Sequence, residues 1–273
     1  MALLRIFFLF LISLEADLSP PDPYPGEVVK VTISSEEESL RVSFNGKEYP
    51  SYPLSDSSYY SLLGISYNIK PGCYTVWVKG KEDSIDLPIE VREKEFPREI
   101  WRYRLRRRLY PSTPKTKKER NIIREAIATE SCEKLYRNPF MLPVKGRVTS
   151  PYGTYRITKG GGGERRHTGV DIAAPRGTPI LAPARGRVIL TGRFRIHGRT
   201  VVIDHGQGVV SIYLHLSRIL VKEGEIVERG QVIGRLGSTG ASTGPHLHWG
   251  VYIHGEPVNP LLWTKGGWET ELG

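Results

Sequence analysis

The sequence predicts a mainly β protein: two β-rich regions joined by a short basic stretch that contains a helix. Three observations carry that expectation. Alternating apolar and polar residues recur through 17–93, the period-two signal of half-buried strands. Between 141 and 264, short runs rich in Val and Ile are separated by glycines at 186, 206, 208, 224, 230, 234 and 237. A helical spacing of apolar residues is confined to a segment near 114–136, where Ile123, Ile127 and Leu135 fall roughly on one face.

The first region begins after Met1–Ala16, where Arg5 precedes the apolar run Ile6–Ile12. A run of that length after a basic start suits an export signal over residues 1–16, whereas a membrane span needs about 20 apolar residues. Leu14-Glu15-Ala16 is an imperfect cleavage site, so an uncleaved anchor stays open. Strands are expected at Val28–Ile33, Leu40–Phe44, Tyr74–Val78 and Ile85–Val91, with Asn45-Gly46 and Pro71-Gly72 as turns. Pro88 lacks an N–H to donate, which puts the last strand at a sheet edge. Short strands with frequent turns suggest an immunoglobulin-like β domain over 17–93. It carries no cluster of reactive side chains, so positioning or regulation is its expected role.

Residues 94–140 form a basic linker and helix. From Arg98 to Arg124 there are eleven Lys or Arg against two acids, Glu99 and Glu119, a surplus of nine that supplies most of the net +10. Thr113 before Pro114 is a helix start. The charge reads either as a solvated face or as attraction to an anionic envelope surface through Arg98–Arg124. Nucleic acid is the least favoured partner, since no binding motif accompanies the charge. The two cysteines, Cys73 and Cys132, are too few for a disulfide framework; one bond or two free thiols both fit.

Residues 141–264 read as strands at Ile180–Ala182, Arg187–Leu190, Thr200–Asp204, Val209–Tyr213 and His248–Ile253. The turn-strand-turn unit Val221–Gly234 resembles that of barrel-sandwich hybrids. No lysine sits at a hairpin tip there, so a lipoyl-type carrier function does not follow.

Four residues in this region carry the chemistry. His167 and Asp171 are separated by three residues including Gly169, and His246 and His248 by one, so that the last two share a face of an extended strand. Gly169 is expected to let the backbone bend so that His167 and Asp171 converge. Two imidazoles and one carboxylate make a catalytic zinc set with a fourth position left for water. His215 lies between the pairs, while His197, His205 and His254 read as structural or surface residues.

The blocks Ser150–Gly153, His167–Pro179, Tyr213–Ser217 and Gly240–Trp249 resemble those of the LytM/lysostaphin-like zinc endopeptidases, peptidase family M23, across most of 146–260. The resemblance implies a barrel-sandwich-hybrid-like peptidase domain over 141–264 with zinc held by His167, Asp171 and His248. It also implies that His215 and His246 flank the reacting water, one as general base and one as oxyanion donor, with their roles left open. The expected protein is exported to the periplasm or cell envelope and hydrolyses peptide cross-links of bacterial peptidoglycan, with D-alanyl-diaminopimelate links favoured over glycine bridges. Stem peptides are then its partner. A non-hydrolysing wall regulator using the same groove, or a secreted bacteriolytic enzyme, are the alternatives. The loop before His167 departs from the family pattern in its run Gly160–Gly163.

Overall fold

The structure is a computed structural model that describes residues 14–265 apart from 38, 103–109, 138 and 160–163. The apolar run of the expected export signal, the centre of the basic stretch and the tetraglycine therefore lie outside the described residues. Those that are described are mainly strand.

The N-terminal unit comprises β1 (Glu15–Ser19), β2 (Val28–Ser34), β3 (Arg41–Phe44), β4 (Lys47–Pro50), β5 (Tyr52–Ser55), β6 (Ser58–Gly64), β7 (Gly72–Lys79) and β8 (Ser84–Val91). They form two antiparallel four-stranded sheets in the orders β1-β2-β6-β5 and β4-β3-β7-β8. Val29, Val31 and Ile33 from one sheet and Val42, Val76 and Val78 from the other are fully buried in one cluster, so the sheets form a sandwich. Asn45 and Gly46, at φ 48° and 77°, make the tight β3–β4 turn, a conformation in which these two residues are favoured. The strand carrying Pro88 lies at a sheet edge, as its missing donor requires. β1 takes in Glu15 and Ala16, paired with Ser34 and Ile33, so it starts inside the expected signal. Cys73 and Cys132 are both exposed free thiols.

The connecting stretch holds β9 (Arg98–Arg102), which the composition did not announce, and α1 (Pro114–Ile127). Thr113 caps the helix reciprocally: its hydroxyl accepts from the Thr116 N–H at 3.2 Å, and its own N–H donates to Thr116 Oγ1 at 2.9 Å. Ile123 buries against Val202, Val210, Ile212, Leu214 and Tyr252. The helix stops nine residues short of the expected end at 136. There the chain runs past a tight turn instead, with Ser131 O accepting from Gln207 N at 2.7 Å and Leu135 N donating to His205 O at 2.8 Å. A Cβ at Gly206 would lie 1.8 Å from Glu133 O, so only glycine admits this passage.

The remaining strands are β10 (Arg147–Ser150), β11 (Tyr155–Lys159), β12 (Glu164–Arg166), β13 (Val170–Ala173), β14 (Pro179–Leu181), β15 (Gly186–Phe194), β16 (Gly198–Gly206), β17 (Val209–Leu216), β18 (Arg218–Ile219), β19 (Ile226–Val227), β20 (Val232–Arg235), β21 (His246–Ile253) and β22 (Glu256–Val258). The short helix α2 (Pro260–Trp263) follows. The main sheet runs β10-β13-β21-β17-β16-β15-β19, with β22 added to β21. A small sheet, β14-β20-β18, contributes Ile180 and Ile233 to the core on which the main sheet packs. Among the described residues no sheet closes into a barrel. β17 is buried along its whole length, with Ser211 and His215 as its buried polar residues.

The two units share a core. Tyr52, Tyr60 and Leu62 of the sandwich join the cluster that contains Phe140, Trp249 and Trp263. Tyr60 OH donates to Gln207 Oε1, and Lys47 Nζ donates to the carbonyl of His254. His254 is thus a junction residue, stacked on Tyr52 and with Nδ1 2.8 Å from Glu130 Oε1.

Candidate metal centre and groove

The site is built on β13 and β21, which pair antiparallel with Asp171 opposite His248 and Ala173 opposite His246. Alternation along β21 turns His246 and His248 to the same side, as the sequence indicated. Gly169 admits the close approach of these strands. A Cβ there would lie 2.3 Å from Trp249 O and 2.9 Å from His248 Nε2.

His167 Nε2, Asp171 Oδ1 and His248 Nδ1 converge, each 2.9 Å from the other two. All three residues are buried. His167 Nδ1 donates to Pro151 O at 2.9 Å, so the neutral ring carries no proton on Nε2. A carboxylate oxygen has none either. At most one proton, on His248 Nδ1, is then available for three close contacts, and a cation at the centre resolves the conflict. The donor set therefore fits a divalent metal: two imidazoles and one carboxylate, with the outer nitrogen of His167 fixed by a carbonyl. Burial raises the Asp171 carboxyl, but the close ring nitrogens of His167 and His248 outweigh it and hold the group well below the usual carboxylate range.

His215 and His246 stand beside this triangle with ring centroids 4.8 Å apart. Each is fixed by its Nδ1: His215 donates to Thr239 O at 2.8 Å, and His246 to Gly244 O at 2.9 Å. Both Nε2 atoms are left with lone pairs. His246 Nε2 is 3.9 Å from Asp171 Oδ1. Burial, with His246 and His248 nearby, pushes His215 down to about 3, so it is neutral at physiological pH. Its backbone adopts φ 65°, an uncommon left-handed conformation for a non-glycine residue. That kink at the end of β17 carries the ring into the groove.

The groove has a volume of about 430 Å³, and all five sequence-predicted site residues line it. It also takes in residues to which the sequence reading gave no part in the site. His197 lines the groove, and its Nδ1 is buried without a partner among the described residues. Arg156 reaches Asp171 Oδ2 at 2.9 Å, and Glu99 reaches Arg156 Nε at 3.2 Å. The one available signal for Glu99 was its place as one of two acids in a run of eleven bases. His205, by contrast, is structural as expected: Nδ1 donates to Arg185 O at 2.9 Å and Nε2 accepts from Ser211 Oγ at 2.7 Å.

A model of peptidase family M23 matches residues 165–260. A crystallised Pseudomonas aeruginosa protein assigned to peptidase M23 superposes with a TM-score of 0.70 at 31% identity, covering 89% of this chain and 95% of that one. The chain belongs to peptidase family M23. Beyond this M23 likeness of the whole architecture, the DD-carboxypeptidase/endopeptidase Mpg of Neisseria meningitidis serogroup B is 49% identical over 115 residues, 42% of this chain and 26% of that protein. The peptidoglycan DD-endopeptidase ShyA of Vibrio cholerae is 48% identical over 95 residues, 35% of this chain and 22% of that protein. The M23 chain thus spans about a quarter of the length of the curated relatives it matches.

Proposed function

We propose that this M23 peptidase is an exported zinc endopeptidase that hydrolyses peptide cross-links of bacterial peptidoglycan, with the D-alanyl-diaminopimelate bond as its target. The observation that carries the reading is the triangle of His167 Nε2, Asp171 Oδ1 and His248 Nδ1 with two further histidines beside it in one groove. The DD-endopeptidase names of the relatives support the choice of bond. The early apolar run after Arg5 supports export, and peptidoglycan lies outside the cytoplasm.

A zinc ion held by His167, Asp171 and His248 would supply Lewis acidity to the scissile carbonyl and acidify water beside it. The chain's own residues do the rest. With their Nδ1 atoms donating to carbonyls, the neutral rings of His215 and His246 present Nε2 lone pairs, the form a general base requires. One takes the proton of the attacking water and returns it to the leaving amine. The other stabilises the oxyanion by hydrogen bond. Fixing both tautomers by backbone carbonyls means that neither ring must turn over before reaction. All five side chains are present and assembled, which supports turnover over a regulator that only holds peptide.

The test is digestion of purified sacculi by the mature protein, with and without a chelator. Release of cross-links that stops on chelation and returns with zinc supports the proposal. Sacculi left intact by zinc-loaded protein refute it.

A further inference from the structure

We propose that Glu99, on the connecting strand outside the stretch matched by the family model, is a positioning residue that acts through Arg156 to set the metal site. The inference rests on the reading of His167, Asp171 and His248 as metal ligands. β9 pairs in parallel with β11 over five residues and sets Glu99 directly opposite Arg156. Strand β11 also pairs with β12, so β9 forms the outer edge of a three-stranded sheet bordering the groove.

The contacts form a closed ring. Arg156 Nε donates to Glu99 Oε2 at 3.2 Å, Ser150 Oγ donates to Glu99 Oε1 at 3.1 Å, and Arg156 Nη2 donates to Ser150 Oγ at 3.0 Å. The same Nη2 reaches Asp171 Oδ2 at 2.9 Å. Asp171 Oδ1 is the oxygen facing His167 and His248, so Arg156 holds the opposite oxygen and fixes the rotation of the carboxylate.

Charge gives the second argument. The ligand set carries one negative charge, and Arg156, only 17% exposed, cancels it beside a site meant for a dication. Glu99 restores the balance to net negative while holding the guanidinium in the plane that suits Asp171. Without Glu99 the arginine would lose one of its anchors, and its charge would oppose metal entry. The connecting segment therefore completes the peptidase site, and outer-shell partners of this kind change metal affinity by about 10–100-fold.

The experiment titrates zinc against a chromophoric chelator for wild type, Glu99→Gln, Arg156→Ala and the double variant, with kcat and KM on a cross-linked muropeptide. Glu99→Gln keeps the side-chain shape on an edge strand, and the melting temperature of the metal-free protein checks its fold. Glu99→Asp, which keeps the charge, serves as the conservative rescue and as the alternative if the glutamine variant unfolds. The expected result is zinc binding weakened about tenfold in Glu99→Gln, with at least part recovered in Glu99→Asp. In the Arg156→Ala background Glu99→Gln should add little, because the two act in series. Unchanged zinc affinity in Glu99→Gln, with or without a higher KM, overturns the inference, as does a full tenfold effect in the absence of Arg156. Failure of the wild type itself to bind zinc overturns the ligand reading instead.

Discussion

Asp171 and His248 face each other across the β13–β21 pair, with Oδ1 and Nδ1 2.9 Å apart and both side chains withdrawn from solvent. Strand register, rather than a loop, fixes this distance. Two neighbouring strands can hold a carboxylate and an imidazole so close only where the backbones meet without obstruction, and Gly169 supplies that clearance.

Gly169→Ala is therefore expected to act on both the fold and the metal. Its Cβ would press on the Trp249 carbonyl and the His248 ring, at a cost of about 1–3 kcal/mol for such overpacking. Thermal unfolding should shift downwards, and zinc per chain should fall with it. A variant with wild-type melting and full zinc would show that the strands adjust freely.

Replacing the candidate ligands and the candidate acid–base pair should give different phenotypes. Asp171→Ala and His248→Ala are expected to lose zinc and activity together. His215→Ala and His246→Ala are expected to keep zinc while turnover falls by about 10²–10⁴-fold. Metal analysis beside kcat separates the two classes, and loss of zinc from His215→Ala would place that residue among the ligands.

Acid should destabilise the fold through His205. Burial holds this imidazole down to about 4, against about 6.5 in the unfolded chain. Between these values the unfolded state binds the extra proton, so stability is full above pH 6.5 and falls as pH drops towards 4. The loss is on the order of 3 kcal/mol. In chelator-treated protein, the gap in melting temperature between wild type and His205→Gln should narrow across this window. A gap that stays constant from pH 7 to pH 4 would contradict the assignment.

The junction of the two units offers a fourth test. Tyr60→Phe leaves Gln207 Oε1 buried without the phenol that donates to it, at a cost of about 1–3 kcal/mol. Because Tyr60 belongs to the core shared by both units, the loss should lower the unfolding of the peptidase unit as well as that of the sandwich. Equilibrium denaturation followed by near-ultraviolet circular dichroism and by zinc release reports the two units separately.

Four of the groove residues carry a local signal, whereas His215 was singled out by the resemblance of its block Tyr213–Ser217. His246 and His248 share a strand face, and His167 and Asp171 flank a glycine four residues apart. The mainly β fold was legible from period-two alternation and turn residues, and Thr113 from capping chemistry. What escaped depends on chain encounters distant in sequence. Glu99 meets Arg156 across 57 residues through a parallel pairing that composition cannot announce. The end of α1 is set by the passage at Gly206, and the kink at His215 by its place in the sheet, neither of which follows from local propensity.

The most direct test of the central claim is a mass-spectrometric muropeptide profile of cross-linked sacculi after incubation with the mature protein, with His215→Ala as control. The account predicts that cross-linked dimers disappear and monomers rise in step, with fragment masses that place the cut between D-alanine and diaminopimelate, and no change with the variant. Zinc-loaded wild-type protein that leaves the dimers intact, or a variant that cleaves as fast as wild type, would contradict it.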